Sequence, residues 1–204
     1  MFTKVLQLII GLVWLTNRIH SCSCPGSQHP QNQFCSSDYV FYGVVKNEEF
    51  ISGPVDDTAN NLATWKYTFE DIFKMKGVTE EVGQDVVIET AGNGALCGVR
   101  LVVGNGYILM GRTKADGTKT IGLCEFISQI GNLTPFQMAY LFSNGSFSYN
   151  GNCRTCRRRC KIGPESRDCK YDPFNPNNGT ICLAKNALCL REGRQCRWIN
   201  NETC

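Results

Sequence analysis

The chain has 204 residues, 13 of them cysteine, with a formal charge of +3 and 42% hydrophobic residues. This composition excludes a disordered or collagen-like polymer, and the near-neutral balance gives no footprint for nucleic acid. The cysteine density excludes an ordinary cytosolic protein and reads as a disulfide framework formed in an oxidising compartment.

The first 21 residues read as a signal peptide. Lys4 supplies a positive start, Val5 to Leu15 is an eleven-residue apolar stretch, and Ser21 suits the position before cleavage. That stretch is too short to span a bilayer, which takes about 20 apolar residues. No later segment is long and apolar enough to do so, and the expected destination is the extracellular space or matrix. The mature chain then begins at Cys22-Ser23-Cys24.

Between Cys22 and Asn152 lie five cysteines, with 8 basic and 13 acidic side chains, net −5. From Cys153 to Cys204 lie eight cysteines, with 11 basic and 5 acidic side chains, net +6. The expected organisation is therefore a domain over 22–153 followed by a small basic domain over 154–204. The second is too short to bury much core and depends on cross-links.

A short helix is expected from Gln31 to Ser36. Asp38 to Val45 and the alternating run Trp65 to Met75 read as strands, separated by a protruding polar loop over Lys46 to Ala63. Asp85 to Glu89 is a third strand. Val99 to Val103 and Tyr107 to Arg112 flank Gly104-Asn105-Gly106, which predicts a hairpin. Asp116-Gly117 offers another turn, before a strand over Thr120 to Phe126. Thr134, with Pro135 after it, predicts a capped helix that buries Phe136, Ala139 and Tyr140 and ends before Asn144-Gly145. Short strands with tight turns and small helices fit a mainly β fold, a five-stranded OB-type Greek-key barrel, with a β-sandwich as the competitor.

No catalytic constellation stands out. The mature chain has one histidine, His29, which reads as structural. Cysteine is committed to disulfides, and no HExxH, Walker or dinucleotide motif occurs. Cys153, Cys156 and Cys160 have zinc-like spacing, but disulfides are the better reading in an oxidising space. Arg154, Arg157, Arg158, Arg159 and Lys161 form a candidate polyanion site for sulfated glycosaminoglycans. Asn132, Asn144, Asn178 and Asn201 open N-glycosylation sequons; Pro135 disfavours the first, leaving Asn144, Asn178 and Asn201.

The segment Cys22-Ser23-Cys24, then His29-Pro30-Gln31, Phe34-Cys35 and Asp38, resembles the opening of the tissue inhibitors of metalloproteinases, a family with a netrin-like OB fold. Lys74-Met75-Lys76-Gly77, Cys97-Gly98, Tyr107 to Gly111, Asp116-Gly117, Cys124 to Phe126, Cys153 to Cys156 and Cys196 to Trp198 continue it in order. The spacing from Cys24 to Cys35 is one residue longer than the family signature, and there is one cysteine more after Cys153. The resemblance implies a secreted inhibitor, not an enzyme, whose partners are secreted or membrane-anchored zinc metalloproteinases. It has no cofactor of its own. The amine and carbonyl of Cys22 would chelate the target's zinc, with Ser23, Cys24, Pro25, Ala95 and Leu96 touching the protease. The implied disulfides are Cys22–Cys97, Cys24–Cys124, Cys35–Cys153, Cys156–Cys196, Cys160–Cys169 and Cys182–Cys189, leaving Cys204 over. The alternative is a non-inhibitory netrin-like module that binds matrix or growth factors.

Overall fold

The computed structural model describes residues 22–204 except 82, 159–161, 167–168, 176, 194 and 201–203, together with the backbone but not the side chains of 71 and 154–158. The expected signal segment, Asn201 and the basic side chains Arg154, Arg157, Arg158, Arg159 and Lys161 lie outside the described residues.

Strands β1 (Tyr39–Ile51), β2 (Thr64–Lys76), β3 (Val86–Ala91), β4 (Gly106–Thr113), β5 (Lys119–Thr120) and β6 (Phe126–Gln129) build one sheet. The order is β1-β2-β3-β5-β4-β6, and β4 also pairs with β1. Five strands thus close into a ring and β6 extends it. The pairs are antiparallel except β3 with β5, joined at Glu89 and Thr120. This is the closed five-stranded arrangement of an OB-type barrel. Closure leaves the ring without an open edge.

Alternation along the strands fills the barrel. Tyr39, Phe41, Val45, Tyr67, Phe69, Val86, Ile88, Tyr107 and Leu109 point inward and form one buried cluster with Val99, Leu101 and Ile121. The opposite face of the same strands supplies Val40, Ile108 and Met110 to a second cluster. Phe34 joins it from helix α1 (Pro30–Ser36), with Tyr140 and Leu141 from α2 (Pro135–Phe142) and Tyr149 from α3 (Tyr149–Arg158). Leu188 of β9 (Leu188–Glu192) completes it, so the cysteine-rich segment shares this core.

Two strand expectations are corrected. Val99 to Val103 is not a strand. Its amides bond side chains instead: Val99 to Thr90 Oγ1 at 3.1 Å, Leu101 to the Tyr67 hydroxyl at 3.2 Å, and Val102 to the Tyr107 hydroxyl at 3.2 Å. The Gly104 and Asn105 backbone instead bonds Val45, at 2.8 and 3.0 Å. The loop expected over Lys46 to Ala63 is shorter, because β1 runs on to Ile51 and pairs Phe50 with Trp65. Similarly, Thr120 to Phe126 divides between β5 and β6, which flank Cys124.

Helix α2 has the anticipated Thr134 cap, completed by Gln137 as a capping box. It buries Gln137, Tyr140 and Leu141, while Phe136, 42% exposed, and Ala139 face solvent against expectation. The reason is docking: Gln137 Nε2 donates to Ala184 O at 3.2 Å and the Tyr140 hydroxyl to Asn186 O at 3.1 Å. Both acceptors end helix α4 (Asn178–Asn186), which turns that face of α2 inward.

The remaining elements are short: β7 (Ile162–Gly163) parallel to β8 (Cys169–Lys170), and β9 antiparallel to β10 (Gln195–Ile199). Their core is Cys35, Ile162, Cys169, Tyr171, Cys189 and Cys196. Here the expected pairings are corrected. Cys169 bonds Cys189, and Cys182 bonds Cys204. Cys160–Cys169 and Cys182–Cys189 are therefore not formed, and Cys204 is not the odd cysteine. The chain turns at Ala187, after α4, and carries Cys189 inward onto Cys169 while Cys182 stays on the helix. Cys196 is disulfide-bonded; the expected Cys156–Cys196 pair rests on a side chain outside the described residues.

Candidate functional site: the cross-linked N-terminal edge

Cys22 is tied to Cys97, which follows the turn after β3, and Cys24 to Cys124, just before β6. The Cα separations are 5.0 and 5.2 Å, within the range a disulfide spans. Sγ atoms of Cys22, Cys97 and Cys124 lie within 4.8 Å of one another. Such a cluster resembles a metal site, but each sulfur is already in a disulfide. It is better read as two cross-links side by side, pinning an extended segment to two barrel loops.

The turn that receives Cys22 is itself rigid. Asn93 Oδ1 accepts from Leu96 N at 3.0 Å, capping the 3₁₀ turn Gly94–Leu96. Its Nδ2 reaches Ala59 O at 2.8 Å and Asn61 Oδ1 at 3.0 Å, which binds the turn to the β1–β2 connection. Cys97 adopts φ 62°, a left-handed conformation uncommon for a residue with a Cβ. Its carbonyl accepts from Leu123 N at 2.8 Å. Gly98 follows because a Cβ there would stand 2.1 Å from Ala91 O.

Behind the segment, Gly26 turns at φ 72°, and a Cβ there would meet Pro173 O at 2.3 Å. Ser27 N donates to that same carbonyl at 2.9 Å, and the Tyr171 hydroxyl donates to Ser27 O at 2.8 Å. The cysteine-rich segment thus buttresses the N-terminal one. His29 continues the anchor. Its Nδ1 accepts from Gln31 N at 3.2 Å, capping α1, so Nε2 carries the proton and donates to Leu183 O at 3.0 Å. The ring lies against Tyr171 and Trp198 and is wholly buried. Burial lowers its pKa to about 4. Gln31 behaves like a strand partner: its side chain donates to Cys189 O at 2.7 Å and accepts from Cys189 N at 2.8 Å.

The result is a ridge. Ser23, Cys24 and Pro25 are exposed, as are Gly94, Ala95 and Leu96, with Cys22 half-buried between its tethers. Leu123 stands beside them, 58% exposed against 41% for Leu96. Leu123 was not among the residues picked from sequence. The available signal was its place directly before Cys124, the partner of Cys24.

The chain matches the model of the family described as tissue inhibitor of metalloproteinase over residues 20–198. The chain belongs to that family. It is 30% identical to metalloproteinase inhibitor 2 of Homo sapiens over 166 residues, covering 79% of this chain and 72% of that protein. Metalloproteinase inhibitor 2 of Rattus norvegicus gives the same figures, 30% over 166 residues. Metalloproteinase inhibitor 3 of Scyliorhinus torazame is 29% identical over 206 residues, covering 96% of this chain and 90% of that protein. No described helix is long and apolar enough to cross a membrane.

Proposed function

We propose that the mature chain, released between Ser21 and Cys22 and secreted, inhibits zinc metalloproteinases. The observation that carries this reading is the position of Cys22. It is the first residue after the expected cleavage, it is bonded to Cys97, and it sits between exposed Ser23 and the Gly94–Leu96 turn. Family membership supports the same target class.

A catalytic zinc keeps three protein ligands and one open position, normally held by water. The α-amine and carbonyl of Cys22 can displace that water and bind as a five-membered chelate, with the ion expanding to five ligands, which leaves no activated water to attack a peptide. Before cleavage the Cys22 nitrogen is a peptide amide and a poor donor, so processing switches the site on. Two disulfides and the Asn93 turn hold the ridge in place, so little ordering cost falls on binding. Ser23 and Pro25 on one side, and Ala95, Leu96 and Leu123 on the other, supply the flanking contacts with the protease.

The amine coordinates only when neutral, and its ordinary pKa is about 7.7–8.0. Inhibition therefore weakens as pH falls below that range. The test is one added Ala before Cys22, measured against a metalloproteinase panel beside the mature protein. It should abolish inhibition and leave thermal unfolding unchanged. Full inhibition by the extended protein would falsify chelation. Ser23→Gly and Leu96→Arg should each weaken binding about ten-fold or more, the size of a contact worth about 1.4 kcal/mol.

A further inference from the structure

Four sequons occur in the chain, and the structure treats them differently. In the first, the Thr134 hydroxyl is committed: it donates to Lys185 O at 2.5 Å and accepts from Gln137 N at 3.2 Å, with Pro135 next in sequence. In the third, Asn178 opens helix α4 and Thr180 is only 9% exposed. The fourth, at Asn201, lies outside the described residues. The second is open: Asn144, Gly145 and Ser146 are all exposed in the connection between α2 and α3.

That connection is nonetheless held in shape. Gly145 turns at φ 88°. Its carbonyl accepts from Ser148 Oγ at 2.8 Å, and Asn152 Nδ2 donates to Ser146 O at 2.6 Å and Ser148 O at 2.9 Å. Gly151 closes the loop, since a Cβ there would lie 1.9 Å from Gly145 O. Asn144 is therefore presented on a fixed reverse turn.

Aromatic surface lies beside it. Phe142, two residues before Asn144, packs on Phe73 with ring centroids 5.1 Å apart. Phe73 is 48% exposed and Phe147, three residues after Asn144, is 63% exposed. The Phe142–Phe73 pair is thus an aromatic surface open to solvent on its Phe73 side. A pyranose has one face of C–H bonds that packs on an aromatic ring, while its hydroxyls keep contact with water.

We propose that Asn144 carries an N-linked glycan whose first N-acetylglucosamine lies on the Phe142–Phe73 pair. The amide nitrogen of Asn144 bonds to the sugar's anomeric carbon, displacing the diphosphate of a lipid-linked oligosaccharide donor, with loss of one amide proton. The glycan covers an aromatic pair formed by Phe73 of β2 and Phe142 of α2, a part of the chain remote in sequence from the Cys22 ridge. The proposal rests on the secretion reading above, because the chain must pass through the secretory lumen to meet the donor.

The test expresses the full chain in a secreting eukaryotic host and reads intact mass before and after N-glycosidase F. Asn144→Gln and Ser146→Ala should each lose one glycan; an enzyme-dependent mass loss identical to the parent protein's in both variants overturns the site. The packing arm compares melting temperature with and without the glycan. Deglycosylated protein should melt about 2–4 °C lower, the shift for about 1 kcal/mol in a chain of this size. In a Phe142→Leu background that difference should vanish, and its persistence overturns the sugar–aromatic contact. N-terminal sequencing separates the two readings: a mature terminus at Cys22 without a glycan at Asn144 sinks this proposal and leaves secretion standing.

Discussion

The barrel and the cysteine-rich segment are stabilised by different means. In the barrel, buried hydrocarbon and a closed ladder hold the fold, and the cross-links at Cys22 and Cys24 lie at its rim, where they shape the ridge. After Cys153 the strands are two to five residues long and the core itself is built largely of half-cystines. The comparison teaches where a disulfide matters. At the rim it positions, and in a segment with little apolar surface to bury it is the packing.

The largest expected effect is a break of the barrel side. Phe69 is fully buried, with its ring edge-on to Phe41 at 5.3 Å. Phe69→Ala should cost about 3–5 kcal/mol, from lost transfer energy and the cavity left behind. Urea unfolding at neutral pH reads it; a cost below about 1 kcal/mol would mean that the ring core is not the main support.

Next in size is the matching break of the other side. Cys169→Ala with Cys189→Ala opens a bridge of sequence separation 20 in the centre of the small core. The cost should be about 3 kcal/mol. Amide exchange should rise in β8, β9 and β10 while β1, β2 and β4 keep their protection. Equal loss of protection throughout would show that the two regions unfold as one unit.

The same contrast explains what could be read in advance. The barrel was legible because its strands alternate, as in Trp65, Tyr67 and Phe69, and because Thr134-Pro135 announces a helix start. Where side chains replace the ladder the pattern misleads: Val99 to Val103 looks like a strand, yet hydroxyls of Thr90, Tyr67 and Tyr107 take its amides. The outer half of β1, Lys46 to Ile51, carries a strand with no buried stripe, so alternation gave no signal. In the cysteine-rich part the spacing holds little information, since six cysteines alone allow fifteen connectivities. Cys169–Cys189 and Cys182–Cys204 depend on where α4 ends, which no local pattern reveals. The ridge was legible at Cys22 to Pro25 through motif and missed at Leu123, whose neighbourhood arises from the Cys24–Cys124 bond and from the Leu123 amide on the Cys97 carbonyl, neither of which a local pattern shows.

His29 tests the seam between the two regions. Its folded pKa, lowered to about 4 by burial, lies below the ordinary value of 6.5. The unfolded chain therefore binds a proton more readily between those values, so stability is full above about pH 6.5 and is lost as pH falls towards 4. The full difference is on the order of 3 kcal/mol. Protonation at Nδ1 would also set an N–H against Gln31 N–H and uncap α1. His29→Gln should flatten this part of the stability–pH profile. A variant whose profile keeps the wild-type slope between pH 4 and 6.5 would assign the acid sensitivity to other groups.

The smallest effect has the opposite sign and lies in the core both regions share. Tyr149 opens α3 and is fully buried among Phe34, Tyr140 and Leu188. Its hydroxyl has no hydrogen-bond partner among the described residues. Burial, and to a lesser degree Tyr140, pushes the phenol well above its ordinary pKa, so it stays a neutral donor with nothing to receive it. A buried polar group left unsatisfied costs about 1–3 kcal/mol. Phenylalanine keeps the ring and its contacts at 6.0 Å to Phe34 and 5.5 Å to Tyr140 while removing that oxygen. Part of the gain is offset by the small void left where the oxygen was. Tyr149→Phe should therefore raise stability by about 1 kcal/mol, seen as a melting temperature about 2–4 °C higher. A lower melting temperature would mean that a buried water satisfies the hydroxyl and that the shared core is wet at its centre.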